Sequence, residues 1–445
     1  MTAIEQALQK TTDTKALIIG EGAMAQTPAM FRELFGDKTA VVVAHTATWK
    51  AAGEQVYAYL KEAGVPMEEP FIFTDPDMYA EWGCVEELEA YLAPKDVIAV
   101  AVGSGVINDL TKQVSHRLNR KYMIVGTAAS MDGYTAYGSS ITLNGNKQTF
   151  DCPAPLGMIL DPTVAAKAPE GMSASGYADL IAKVPAGADW MIADAMGVEK
   201  IDQFSYDLVQ IPLKKSLSEP DAVAAGEVGP TALLAEGLIM SGFAMQACRS
   251  SRPASGMEHQ FSHYWDMEGL SYPNGKHVSH GFKVGIGTLV STACLEFLLG
   301  YDIENIDTAK CVEAWPSWDE MKKEIETIFA SQPGHLARGL KEAKGKYVEK
   351  DELAKQIEAL KLAWPELKNR IKEQIYTYDQ VYDYLKRVRA PYKPEQICVS
   401  REKLRSTFLG IPYMRSRFTS IDVIYRLGLM DEVLAYLFDG PEAKF

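Results

Sequence analysis

The sequence predicts two regimes in one chain, an α/β half built on a mainly parallel sheet and then an all-α half. Three observations carry this expectation. Short Val/Ile/Ala runs alternate with amphipathic stretches through the first third. An Asn-Gly hairpin signal and one last apolar run close that region at Asp161-Pro162. From about Gly171 onward apolar residues recur at helical spacing, with Pro and Gly mainly at the breaks. In order, residues 16–19, 40–44, 70–74, 97–102 and 122–125 read as strands, with helices at 28–35, 49–63 and 79–92 between them. Pro28 suits a first helical turn, where a missing N–H costs nothing. Strands this apolar, each followed by a helix, expect a parallel sheet covered on both faces. Residues 141–143 and 147–150 form a hairpin around Asn144-Gly145, and 156–160 is a last short strand. The expected domains are 1–161 and 162–445. Within the second, the Lys/Glu-dense stretch 334–389 reads as solvated accessory helices.

At 445 residues the chain is long enough for two cores. A net charge of −14 opposes nucleic acid and anionic membrane as partners, and leaves room for a local basic pocket. No apolar run is read as long enough to span a bilayer, and residues 1–15 lack the pattern of a signal peptide. Six scattered cysteines with no CxxC pair read as thiols in a reducing compartment, so the expected location is the cytoplasm.

Four of the seven histidines, His259, His263, His277 and His280, fall in one window. His259 and His263 are one helical turn apart, and His280 precedes Gly281, which would let the backbone turn into a pocket. A hydrogen-bonded cluster is the plain alternative. Asp179 in Gly176-Tyr177-Ala178-Asp179 offers a carboxylate, so Asp179, His259 and His280 would make an O,N,N set suited to Zn²⁺, Ni²⁺, Fe²⁺ or Mn²⁺. Lys183, four residues after Asp179, reads as an ion-pair partner on the same helical face. Upstream, a strand enters Gly103-Ser104-Gly105 and opens into a helix carrying Asp109 and Lys112. Such a turn can receive a pyrophosphate at a helix N-terminus, or be only a tight strand-to-helix turn. Gly20-Glu21-Gly22 has a similar form but carries an acid. No acid follows residues 41–44, so NADPH stays as open as NADH; Asp75 and Asp77 read as turn residues. Thr127, Ser130 and Asp132 follow the fifth strand, where open α/β sheets bind ligands. An Asp-Gly turn with hydroxyl caps is the alternative there.

The ordered series GSGxxxDxxK, TAASMDGYTA, GYADLIAK, GMEHQFSH and HGFKVGIG, with Arg415-Ser416-Arg417-Phe418-Thr419 near the end, resembles the iron-dependent alcohol dehydrogenase superfamily. That superfamily includes glycerol dehydrogenase and dehydroquinate synthase, and within it the series resembles the sn-glycerol-1-phosphate dehydrogenase branch. The resemblance implies a dehydroquinate synthase-like fold, an α/β nucleotide-binding domain followed by an all-α metal-binding domain. It implies one divalent metal (Zn, Ni or Fe) on Asp179, His259 and His280, and NADH or NADPH on Gly103, Ser104, Gly105, Asp109, Thr127 and Ser130. Catalytic roles would fall to His263, Asp132 and Lys183. Lys183 stands where iron-type relatives carry a histidine ligand, which favours the three-ligand members. The implied reaction is reduction of dihydroxyacetone phosphate, with Lys183, Lys283 or Arg252 meeting the substrate phosphate. The alternatives are a glycerol dehydrogenase, a dehydroquinate synthase-like lyase, or a binding protein that keeps the fold. A homodimer or larger homo-oligomer is the implied assembly.

Overall fold

The computed structural model describes residues 3–143 and 145–445. The strands are β1 (Ala16–Ile19), β2 (Thr39–His45), β3 (Phe71–Phe73), β4 (Val97–Gly103), β5 (Tyr122–Gly126), β6 (Ser139–Leu143), β7 (Asn146–Phe150) and β8 (Gly157–Leu160). Six of them make one sheet in the order β1-β8-β5-β4-β2-β3, with every neighbouring pair parallel. The sequence expectation therefore holds. Residues Ala40 to Ala44 and Val100 to Val102 are fully buried, as a sheet covered on both faces requires. The β6–β7 pair is the expected antiparallel hairpin, although Asn144 in its turn lies outside the described residues.

After Leu160 every described element is helical. The chain forms two compact units, Met1–Leu180 with Asp207–Ser251, and Ile181–Tyr206 with Arg252–Phe445.

In the first unit, register brings the ends of β4 and β5 level, with Gly103 opposite Gly126. The backbone N–H of Thr127 then donates to the carbonyl of Gly103 at 3.0 Å. Lys112 is buried on the helix Gly105–Arg117, and its ammonium donates to the carbonyls of Gly133 (3.0 Å), Ala136 (2.9 Å) and Gly138 (2.9 Å). Three short bonds from one cation fix the loop that carries Asp132. Two helices close on that loop because they offer glycine at the contact. A Cβ on Gly176 would collide with the carbonyl of Ala129, and one on Gly242 would stand 2.7 Å from the carbonyl of Asp132.

In the second unit, helix Met257–Met267 packs against helix His280–Gly300 at Gly287, where a Cβ would run into the backbone of Glu258. The helix Lys350–Gln374 has two faces. Leu353, Ile357, Leu360, Trp364, Leu367 and Ile371 are buried at three- and four-residue spacing, while its Lys and Glu residues take the solvent side. Gln374 at its end donates to the carbonyl of Val184 at 3.3 Å.

One expectation needs correction. Val228–Cys248 and His280–Gly300 are each long and apolar enough to cross a membrane by length and composition. Their most apolar windows are 61% and 78% buried inside the protein, so their hydropathy is that of core helices. None of the six cysteines is in a disulfide.

Candidate functional site

Asp179 lies in the last turn of helix Glu170–Ile181, on the face that Gly176 lets approach the Ala129 carbonyl. Its Oδ2 accepts the backbone N–H of Asp132 at 3.2 Å, and the Asp132 carboxylate in turn accepts from Ser241 Oγ at 3.0 Å. Helix Met257–Met267 starts at Gly256, where a Cβ would strike the Asp189 carboxylate and crowd Glu258. Asp189 fixes that start by accepting the N–H of Met257 and, through its other oxygen, that of Ser420, both at 2.8 Å. The turn into helix His280–Gly300 is made by Ser279, whose hydroxyl caps the N–H of Phe282 at 3.3 Å. Gly281 is the second residue of that helix.

His259 and His280 belong to the second unit, and Asp179, fully buried, to the first. The His259 and His280 rings are 5.3 Å apart. Both imidazoles are oriented from behind. Glu258 Oε1 lies 2.8 Å from His259 Nδ1, and Ser262 Oγ lies 3.1 Å from His280 Nδ1, so each ring is fixed through its Nδ1. Two imidazoles oriented in this way are donors that a divalent transition metal takes, and a buried carboxylate such as Asp179 is the kind of ligand that goes with them. Burial raises the Glu258 carboxyl to about 7 against the N–H bonds it accepts. Lys183, fully buried, places its charge near Glu258 and opposes that rise.

His263 is one turn beyond His259, with ring centroids 6.5 Å apart, and its Nε2 is 3.5 Å from Arg415 Nη1. Burial first, and then the Arg415 charge, hold this imidazole well below its ordinary range, so it is neutral at pH 7. His277 is not in the ligand set; it meets Ser271 Oγ at 3.3 Å on the surface.

Among the nucleotide-type residues, Thr127 stands just past the carboxyl end of β5 and lines a cavity there. The cavity, of about 570 Å³, is lined by Gly22, Thr48, Thr127, Asp161, Thr163 and Lys167, among others. Ser104 is the N-cap of helix Gly105–Arg117, and its hydroxyl makes no capping bond to the helix. Gly103 is required by its own helix, because a Cβ would meet Ile107 at 2.6 Å; a Cβ on Gly105 would meet Met131 at 3.1 Å. Ser130 bonds Tyr134, whose hydroxyl also donates to the Ala128 carbonyl at 2.9 Å. Asp109 faces the hairpin, accepting the N–H of Ser140 at 3.1 Å.

Three cations suggested for a phosphate are otherwise engaged. Lys283 is ion-paired with Asp266, Arg252 donates to the carbonyls of Phe418 (2.8 Å) and Asp189 (2.9 Å), and Lys183 lies near Glu258. The sequence reading missed Glu258, Ser262, Ser241 and Arg415 as site residues. Glu258 and Ser262 sit beside histidines in the quoted motif. Arg415 lies in the quoted Arg415-Ser416-Arg417 segment, which the reading gave no role, and Ser241 arrives from far along the chain and had no local signal.

Comparison with known proteins identifies the family. A family model for iron-containing alcohol dehydrogenases matches residues 18–169. A glycerol-1-phosphate dehydrogenase [NAD(P)+] of Geobacillus thermodenitrificans is 35% identical over 254 residues, which spans 56% of this chain and 62% of that relative. The protein of the same name from Bacillus licheniformis is 32% identical over 430 residues, covering 96% of this chain and 92% of the relative. This chain belongs to the glycerol-1-phosphate dehydrogenase family. Solved structures give the same fold at lower identity. A glycerol dehydrogenase from Schizosaccharomyces pombe has TM-score 0.59 at 17% identity, over 95% of this chain and 90% of that one. A maleylacetate reductase from Agrobacterium tumefaciens has TM-score 0.56 at 14% identity, over 98% of both chains.

Proposed function

We propose that this member of the glycerol-1-phosphate dehydrogenase family is a metal-dependent NAD(P)H oxidoreductase that reduces dihydroxyacetone phosphate to sn-glycerol 1-phosphate. The observation that carries the reading is the His259 and His280 pair, each ring oriented by a second group. When bound, a divalent Zn, Ni or Fe ion supplies a Lewis acid for a ketone oxygen, and NADH or NADPH supplies the hydride. Asp179 contributes the charged oxygen of the ligand set, while His259 and His280 contribute neutral nitrogens. Asp132, tied to Ser241 beside Asp179, is placed to accept a hydrogen bond from the substrate's hydroxyl. His263, held neutral, passes a proton inward instead of keeping one in reserve. Lys183 balances Glu258, so that the carboxylate can hold His259 in one tautomer.

Residues 1–161 are assigned to the nucleotide and 162–445 to the metal and substrate. Gly103, Ser104 and Gly105 offer backbone and hydroxyl to the pyrophosphate at a helix N-terminus. Thr127 and Ser130 line the nicotinamide side, and Asp109 acts through the hairpin it anchors. The working form is read as a cytoplasmic homodimer or larger homo-oligomer, which solution mass measurement tests.

The test of the reaction is the product. NADH or NADPH oxidation by dihydroxyacetone phosphate should yield the sn-1 enantiomer of glycerol phosphate, identified by enantiomer-specific enzymatic assay. Turnover on unphosphorylated dihydroxyacetone alone would make the protein a glycerol dehydrogenase, and the opposite enantiomer would overturn the assignment.

A further inference from the structure

The cavity of about 570 Å³ carries one acid and one base in its wall, Asp161 and Lys167, and both come from the segment after β8. All the residues that line it fall in the first unit. Its volume is that of a small-molecule site. Thr127 joins it to the turn Gly103-Ser104-Gly105, since the Thr127 N–H donates to the Gly103 carbonyl at 3.0 Å. Another part of the wall is the helical segment after β2, through Thr48 and Ala51. A cavity that adjoins a pyrophosphate turn and also reaches the end of the second strand covers the place where such sheets hold the adenosine ribose.

The charges around that place set what the ribose can carry. Dinucleotide folds that select NADH put a carboxylate after the second strand, where it takes the ribose hydroxyls and opposes a 2′-phosphate. Here His45, Thr46, Ala47 and Thr48 stand there, and their polar side chains are turned to the chain itself. His45 Nδ1 accepts the N–H of Ala47 at 3.2 Å, and its Nε2 lies 3.0 Å from the Asp75 carbonyl. The Thr46 hydroxyl donates to the Phe73 carbonyl at 3.1 Å, and that of Thr48 to the Val102 carbonyl at 2.8 Å. Asp161, the acid of the wall, is buried and caps the helix Pro162–Ala165. Its Oδ1 takes both the N–H (3.0 Å) and the hydroxyl (2.7 Å) of Thr163. Lys167 stands two residues past that helix, with its N–H on the Val164 carbonyl at 3.1 Å. Its side chain is exposed and in no ion pair among the described residues. The acid is thus satisfied by its own helix, while the base is open to a ligand. An ammonium in such a wall favours a phosphate on the ribose over a bare hydroxyl.

We propose that this cavity takes the adenosine end of the dinucleotide, with Lys167 meeting the 2′-phosphate, so that the chain holds NADPH more tightly than NADH. This rests on the dehydrogenase reading above and adds to it a specificity-determining residue. It also carries the nucleotide site past residue 161, to Lys167.

Binding can be read without turnover, from the fluorescence of the reduced nicotinamide as NADPH or NADH is titrated into the full chain. The wild type should bind NADPH about 10-fold more tightly, the size of one charge-assisted contact to a phosphate. Added salt should shrink that preference, because an exposed pair is screened. Lys167→Gln should bring the NADPH dissociation constant up to that of NADH and leave NADH within about twofold, whereas Lys167→Arg should keep most of the preference. Ala51→Trp fills the cavity from an exposed helical position and should weaken both dinucleotides. Equal affinities in the wild type, a preference that survives Lys167→Gln, or full binding of both by Ala51→Trp would overturn the proposal. A wild type that binds neither dinucleotide fails the dehydrogenase reading and this step with it. One that binds both, with Lys167 indifferent, fails only this step.

Discussion

Glu258 shows how a single residue without direct access to a substrate can govern the site. It holds His259 Nδ1 at 2.8 Å, and it is itself held by the N–H of Gly256 and the field of Lys183. Removing such a group behind a ligand typically costs 10- to 100-fold in metal affinity. Glu258→Gln should therefore weaken Zn²⁺ binding by about that factor in a chelator competition, and wild-type affinity would exclude the role. Lys112 makes the equivalent argument for the Asp132 loop. Lys112→Met strips three buried carbonyls of their donor and should cost about 3 kcal/mol in denaturant unfolding. A loss below about 0.5 kcal/mol would mean the loop is held by other contacts.

Between elements, glycine positions and one buried acid carry the geometry. Gly287 allows helices Met257–Met267 and His280–Gly300 to bring His259 and His280 together, so Gly287→Val should force them apart. The expected result is a loss of about 1–3 kcal/mol in stability, together with reduced metal retention after dialysis. Full retention would place the helix contact outside the metal site's requirements. Asp189 joins the start of helix Met257–Met267 to Ser420, and burial, then the Glu258 charge, raises its carboxyl to about 7 from 3.8. Between those values the folded protein keeps a proton that the unfolded chain releases. Stability from this group is thus full below about pH 4, falls as pH rises, and levels above about 7. Asp189→Asn should lower the unfolding midpoint at pH 5 and flatten its decline towards pH 7. Parallel pH curves for the two proteins would contradict the assignment.

For the molecule as a whole, what could be read in advance was what is local. Short apolar runs located all six sheet strands, the central ones as Val/Ile/Ala runs because a strand buried on both faces leaves no other pattern, and the half-buried edge strands β1 and β3 as short apolar runs between helices. His259 and His280 stood out by residue type, and Asp179 by a motif that needs glycine beside it. The remainder depends on pairings across long stretches of chain, as between Ser255 and Arg415 or Asp189 and Ser420, for which no spacing rule exists. The same cause explains the misread cations. Lys283 looked available until Asp266 was seen beside it, and the Lys/Glu-rich stretch looked solvated until its Leu/Ile/Trp stripe was seen buried.

The most direct test of the central claim is metal-restored turnover. Chelated wild-type protein should not oxidise NADH or NADPH with dihydroxyacetone phosphate, and should regain turnover on addition of about one equivalent of Zn²⁺, Ni²⁺ or Fe²⁺. His280→Ala, folded by its unfolding transition, should neither retain the ion nor recover. Full turnover in chelated protein, or in His280→Ala, would show that Asp179, His259 and His280 are not the centre on which the reaction depends.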